Sequence, residues 1–149
     1  MKNMITIALG ADHRGFALKE FLKQQKITQE IVTWLDCGAQ NDERSDYPLF
    51  ALEVAKAIQA KKASCGILLC GTGVGMAIAA NRFSGIYAGV AWNQEIARKG
   101  KEDDNINVLV IPADFIQQHD VLAIVQAWLG ASFKEGRYAQ RLAMIDAIK

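Results

Sequence analysis

The sequence predicts a parallel α/β sandwich, and three observations carry the prediction. Five short apolar runs, residues 5–9, 31–35, 66–70, 86–91 and 108–111, are nearly continuous rather than alternating, as strands buried on both faces should be. Segments of helical period lie between them. The connections are short, so right-handed βαβ crossovers place helices on both faces of one sheet.

The elements follow in order. Ile5–Leu9 is the first strand, and Leu18, Phe21, Leu22 and Gln25 mark the first helix. Ile31–Leu35 is the second strand. Asp46-Tyr47-Pro48 then opens a helix whose inner face is Phe50, Val54 and Ile58. Asp is a favoured cap, and Pro suits a first turn. Gly66–Cys70 is the third strand, and a helix starts near Val74. Ile86–Ala91 and Val108–Ile111 are the fourth and fifth strands, with a helix between them that ends before Asp103. Val121, Ile124, Val125, Trp128 and Leu129 repeat as one helical stripe, the cleanest amphipathic pattern in the chain. A last helix covers residues 138–148.

Composition narrows the function classes. A length of 149 residues suits one domain over residues 1–149, and with only 2 Pro and no low-complexity stretch the sequence shows no linker or domain boundary. A net charge of +1 argues against an electrostatic nucleic-acid binder. The apolar runs are too short to span a bilayer. Met1-Lys2-Asn3-Met4 leads straight into a strand rather than a signal peptide, so the expected compartment is the cytoplasm. Cys37, Cys65 and Cys70 are odd in number and form no CxxC pair, which argues against a disulfide scaffold. His13 and His119 are far apart, so a His/Cys metal site is poorly supported, and neither metal nor cofactor is expected.

Ligands of open α/β sheets sit outside the carboxyl ends of the strands. The segments there read Gly10-Ala11-Asp12-His13-Arg14-Gly15, Asp36-Cys37-Gly38, Gly71-Thr72-Gly73-Val74-Gly75, Trp92-Asn93 and Pro112-Ala113-Asp114. The Gly71–Gly75 loop turns from strand to helix and either aims N–H groups at an anion or is a tight turn without a ligand. It lacks the Gly-Lys-Ser/Thr ending of a Walker A loop and the spacing of GxGxxG. Cys70 beside it is either a base or nucleophile or a small buried apolar residue. His13 and Arg14 suit a phosphate or sugar hydroxyl, or are solvated residues of a helix start. Asp12 either caps that helix or holds a hydroxyl. Arg137 and Arg141, four apart on the last helix, form either a phosphate clamp or a solvated face. Nothing in the spacing demands that Tyr47 meet a ligand.

Together these residues resemble one family. Gly-Ala-Asp-His-Arg-Gly-Phe at 10–16, Asp46-Tyr47-Pro48, Cys-Gly-Thr-Gly-Val-Gly at 70–75, Ala79-Ala80-Asn81-Arg82, Ala127-Trp128-Leu129-Gly130 and Gly136-Arg137-x-x-Gln140-Arg141 are similar to the ribose-5-phosphate isomerase B and galactose-6-phosphate isomerase subunit family. The resemblance spans essentially the whole chain. It implies a Rossmann-like three-layer sandwich on a five-stranded parallel sheet, with the C-terminal helix packing on a partner subunit. It also implies a homodimer or tetramer with shared sites, a heteromer being open, acting on a phosphosugar without metal. Proton transfer between C1 and C2 through a cis-enediolate would use Cys70 as base and Gly71, Gly73, Val74 and Gly75 as oxyanion hole. Thr72 would help ring opening. Asp12, His13, Tyr47, Asn81 and Asp104 would contact the sugar, and His13, Arg14, Arg137 and Arg141 the phosphate.

The pattern is broken in places. Asp103 and Asp104 stand where the family usually has His-Asn, and Asp114 where it often has Arg. Tyr138 replaces a common His. Asp103 would take over ring opening only with a raised pKa. The substrate expectation therefore extends from ribose 5-phosphate to another pentose, hexose or tetrose phosphate. The alternative is an incomplete phosphosugar-binding subunit of a heteromer.

Overall fold

The computed structural model describes residues 2–28 and 30–149, so Met1 of the expected leaderless start lies outside the described residues. The strands are β1 (Asn3–Ala11), β2 (Glu30–Asp36), β3 (Cys65–Cys70), β4 (Ala88–Val90) and β5 (Val108–Pro112). The helices are α1 (Phe16–Lys23), α2 (Tyr47–Gln59), α3 (Val74–Ala80), α4 (Gln94–Asp104), α5 (Gln118–Leu129) and α6 (Arg137–Asp146). A 3₁₀ turn, Ala113–Phe115, follows β5. All strand pairs are parallel, in the order β2-β1-β3-β5-β4. This is the α/β sandwich that the apolar runs predict.

Each central strand feeds two cores. Ile7 and Leu9 of β1, with Ile67 and Leu69 of β3, pack under α1, α4 and α5. Ala8, Leu68 and Cys70 face α2 and α3 on the other side. Burial on both faces is why these runs show no alternation. Trp128 of α5 is 1% exposed, and its indole N–H donates to the Ile106 carbonyl at 3.0 Å. Its one polar atom is thereby satisfied within the core.

Several element ends differ from expectation, among them α4, which runs on through Asp103 to Asp104. The fourth strand is only Ala88–Val90. Its approach is tied partly by side-chain amides: the Tyr87 carbonyl accepts the Asn107 and Val108 N–H groups, but Tyr87 N–H donates to Asn107 Oδ1 at 2.8 Å and Ala88 N–H to Asn81 Oδ1 at 2.7 Å. The first helix stops at Lys23, and Gln25 lies beyond it, donating its side-chain amide to the Phe21 carbonyl at 3.1 Å. The last helix is shifted to Arg137–Asp146.

A cationic group is buried inside this frame. Lys19 of α1 is fully buried. Its ammonium donates to Asp36 Oδ1 and Oδ2 at 2.9 and 3.0 Å and to the Ala39 carbonyl at 2.6 Å. Lys23 reaches Asp36 Oδ2 at 2.7 Å. Burial pushes the Asp36 carboxyl up, but hydrogen bonds from Lys23 and Lys19 outweigh it, so the net shift is downward. The pair thus fastens α1 to the end of β2 and to the loop of residues 37–46.

Lys19→Met is expected to destabilise the fold by about 3 kcal/mol in urea titration, because it strands part of a buried ion pair. The same variant should lose stability at higher pH on acidification. A lowered carboxyl pKa stabilises above its unfolded value of about 3.9 and fails as pH falls through the folded value, and removing a cation raises that folded value.

Candidate active site

The strand order fixes where a site forms. From β1 the chain crosses to β2 on one side, then returns past β1 to β3 on the other. The loops leaving β1 and β3 therefore diverge to opposite faces and open a crevice at the carboxyl ends. Register brings Ala11 beside Leu69 and Cys70 beside Pro112, so Asp12, Cys70 and Ala113 emerge side by side.

Cys70 is 5% exposed. Its sulfur accepts the Gly73 N–H at 3.2 Å. Burial raises its pKa above the ordinary thiol value. The Met76, Gly73 and Thr72 N–H groups pull the other way, and the Asp12 charge adds to the rise. Gly73 has φ +78, a left-handed conformation that only glycine adopts without strain, and it turns these N–H groups toward the sulfur. Thr72 is exposed, and its hydroxyl accepts the Val74 N–H at 3.2 Å, leaving its own proton to donate outward.

Asp12 is 4% exposed and caps its own turn, accepting the Arg14 and Gly15 N–H groups at 2.9 and 3.2 Å. His13 is bound to Ser45 by two hydrogen bonds. The Tyr47 ring lies against Gly75, where an added Cβ would stand 2.5 Å from Cζ. Asp46 holds the cap position of α2 without a side-chain cap bond. His119 is an exposed residue of the first turn of α5, beside Asp120. Cys65 is buried enough that its thiol is pushed up to about 12.

The other predicted site residues are not brought to Cys70. Helix α4 begins at the carboxyl ends and runs back for 11 residues, about 16 Å, before β5. Asp103 and Asp104 therefore lie at the amino ends of the strands. Asn81 lies there too, its amide committed to both backbone groups of Ala88. Arg137 and Arg141 belong to this second group. Lys134, Arg137 and Arg141 each stand over the Tyr138 ring, at 5.1, 5.2 and 5.4 Å from its centroid.

Two further readings are corrected. Asp103 is hydrogen-bonded by Lys134 at 2.9 Å, and that bond lowers its pKa, the reverse of what ring opening would need. Arg14 is paired with Asp114 across Gly71, so its charge is already met and it is not a free phosphate ligand. Asp114 in turn donates its N–H to the Gly71 carbonyl at 3.0 Å. Sequence reasoning missed Ser45 and Lys134. Neither lies in a motif, and each meets its partner only through tertiary contact. Among the described residues, no cluster of three or more His, Cys, Asp or Glu is placed to hold a metal ion, and no helix is long and apolar enough to cross a membrane.

Fold and site together define a parallel α/β domain with a buried thiol and a glycine turn at its switch point. The Ribose/Galactose Isomerase family model matches residues 7–145, and the chain belongs to that family. It is 39% identical over 146 residues to ribose-5-phosphate isomerase B of Escherichia coli strain K12, covering 98% of this chain and 97% of that one. Among solved structures, a ribose 5-phosphate isomerase from Thermotoga maritima superposes with a TM-score of 0.91 at 38% identity, covering 97% and 99% of the two chains. Ribose-5-phosphate isomerase B from Mycoplasma genitalium, solved with bound ribulose-5-phosphate, gives 0.83 at 34% identity, covering 98% and 96%.

Two glycine substitutions should separate here. A Cβ on Gly15 would stand 2.5 Å from the Leu69 carbonyl oxygen, which is backbone and cannot yield. A Cβ on Gly71 meets only the mobile ends of Asp114 and Arg14. Gly15→Ala is expected to cost about 3 kcal/mol and Gly71→Ala about 1 kcal/mol or less by thermal or urea unfolding.

Proposed function

We propose that this chain interconverts an aldose phosphate and a ketose phosphate, with Cys70 as the base. The observation that carries this reading is the buried Cys70 sulfur at the end of β3, 3.2 Å from the Gly73 nitrogen in a turn of converging N–H groups. Taking a proton from carbon beside a carbonyl needs a base and a stabilised oxyanion. The Cys70 thiolate takes the C2 proton of the open-chain aldose, and the electron pair moves onto O1 to give a cis-enediolate. N–H groups of the Gly71–Gly75 turn stabilise that oxyanion. Cys70 returns its proton at C1, the O2 proton passes to O1, and the carbonyl re-forms at C2. Asp12, Tyr47 and His13 line the same crevice as sugar contacts.

The phosphate cations Arg137 and Arg141 lie at the other end of the chain, with Asp103 and Lys134. One copy therefore carries two half-sites, and we infer that two copies join so that the cationic end of one meets the Cys70 end of the other. Val74 and Ile78, one turn apart on α3 and 55% and 59% exposed, offer an apolar face beside the Cys70 loop for that contact. Asp103, held as a carboxylate by Lys134, has no proton to give a sugar ring oxygen. This favours a four-carbon aldose phosphate, which needs no ring opening, over ribose 5-phosphate.

Three measurements test the proposal. In D2O, four-, five- and six-carbon aldose and ketose phosphates are followed by NMR. The wild type should exchange deuterium into one sugar, fastest into a tetrose phosphate, and Cys70→Ala should slow this about 1,000-fold. Survival of exchange in the variant would remove Cys70 as base.

The pH profile gives a second test. Burial raises the Cys70 pKa, so the thiolate is the minor form near neutrality. Then kcat/KM should climb about tenfold per pH unit from about pH 7 toward pH 9. A flat profile there would contradict a thiolate base.

Mixing gives the third. Cys70→Ala and Arg141→Ala should each be inactive alone. Co-refolded in equal amounts they should recover about a quarter of wild-type activity, because half the dimers then carry one intact site of two. No recovery would place each site within one chain. Wild-type inactivity on every sugar would favour an incomplete subunit awaiting a different partner chain.

A further inference from the structure

The loop of residues 37–46 has no role in the chemistry above, yet both its ends are fixed. At its start Lys19 holds the Ala39 carbonyl at 2.6 Å, and Ala39 N–H donates to the Ala11 carbonyl at 2.8 Å. At its end Ser45 meets His13 in a reciprocal pair. His13 N–H donates to Ser45 Oγ at 3.1 Å, and Ser45 N–H donates to His13 Nδ1 at 3.2 Å. A ring nitrogen that accepts a hydrogen bond carries no proton, so in the neutral imidazole the proton sits on Nε2. Among the described residues, Nε2 has no hydrogen-bond partner.

We propose that Ser45 is a positioning residue that holds His13 as the Nε2–H tautomer, so that the imidazole presents a phosphosugar with a donor rather than an acceptor. The inference rests on the isomerase reading for the identity of the ligand. In the other tautomer, Nδ1–H would face Ser45 N–H, donor against donor. The hydroxyl matters because it anchors the loop to the His13 backbone, which keeps the Ser45 N–H aimed at the ring. The same residue governs a second contact. Ser45 is two residues before Tyr47, whose ring lies on Gly75 of the Cys70 turn. One short segment thus registers the β1 loop against the β3 loop. A donor aimed from His13 suits the oxygens of a phosphate or a sugar, all of which accept.

The test uses the whole chain labelled with 15N. Long-range 1H–15N correlations at about pH 8 report the ring tautomer of each histidine, and His119, with a side chain 80% exposed, is the internal reference. Wild type and Ser45→Thr should show His13 as Nε2–H alone. Ser45→Ala should show a tautomer mixture at His13 with His119 unchanged. It should also lower kcat/KM about tenfold on the phosphosugar the wild type turns over, mostly through KM, with Ser45→Thr restoring it. If Ser45→Ala does not fold, Ser45→Gly replaces it.

Wild-type His13 found as Nδ1–H overturns the proposal. So does a Ser45→Ala protein whose His13 tautomer or whose kcat/KM is unchanged. Failure of the isomerase reading is separate, since it shows as a wild type that turns over none of the sugars while the tautomer measurement still decides Ser45.

Discussion

The structure depends on one constraint, the reversal of strand order at β1 and β3. These neighbours send their chains to opposite faces of the sheet, and nothing else in the fold brings Asp12, His13, Cys70 and the glycine turn within reach of one another. The parallel pairing that allows this demands burial on both faces, which explains the two cores and the continuous apolar strands. The crevice is therefore a by-product of topology, and the residues at the strand ends give it its chemistry.

Charge is managed around that crevice by pairing. Lys19 is buried against Asp36, and Arg14 is met by Asp114. Asp12 spends its carboxylate on its own turn, through the Arg14 and Gly15 N–H groups. A thiol raised by burial in such surroundings stays protonated until N–H groups or a substrate favour its anion. The Met76 and Gly73 N–H groups oppose the burial without cancelling it, and the Gly73 contact exists because a left-handed glycine opens α3.

How much of this was legible follows from which contacts are local. The strands were readable because double burial writes itself into every residue of a run. Cys70, Asp12 and His13 were readable because they stand where strands end. The fourth strand is shorter than its apolar run: Ile86 and Tyr87 are apolar like strand residues, but Ile86 N–H closes a turn on the Phe83 carbonyl and the Asn107 side chain takes the Tyr87 N–H. Arg14 was expected to be free for phosphate, and only the fold brings Asp114 to it. Asp103 was legible as a departure, but its ionisation was not, because Lys134 meets it across the α4–α6 packing. His13 was legible as a candidate and its tautomer was not, since Ser45 arrives from a loop after a different strand.

Division of the functional groups between two ends of the chain has an electrostatic logic on the proposed reading. The negative charge that starts on the Cys70 thiolate moves onto the enediolate beside it, so one anionic charge stays at Cys70 throughout. A phosphate bound at the same place would oppose it, since like charges a few ångströms apart in a partly dry site repel strongly. Gathering Lys134, Arg137 and Arg141 around Tyr138 puts the cations in one cluster away from their own Cys70. The ring face and Asp103 ease the crowding of like charges there, and an arriving dianion eases it further. With the cluster supplied by a second copy, the phosphate end of a short sugar is held by one chain while its reacting carbons face the thiol of the other. Chain length in the substrate is then set by the gap between two rigid copies, which links the choice of sugar to how the subunits pack.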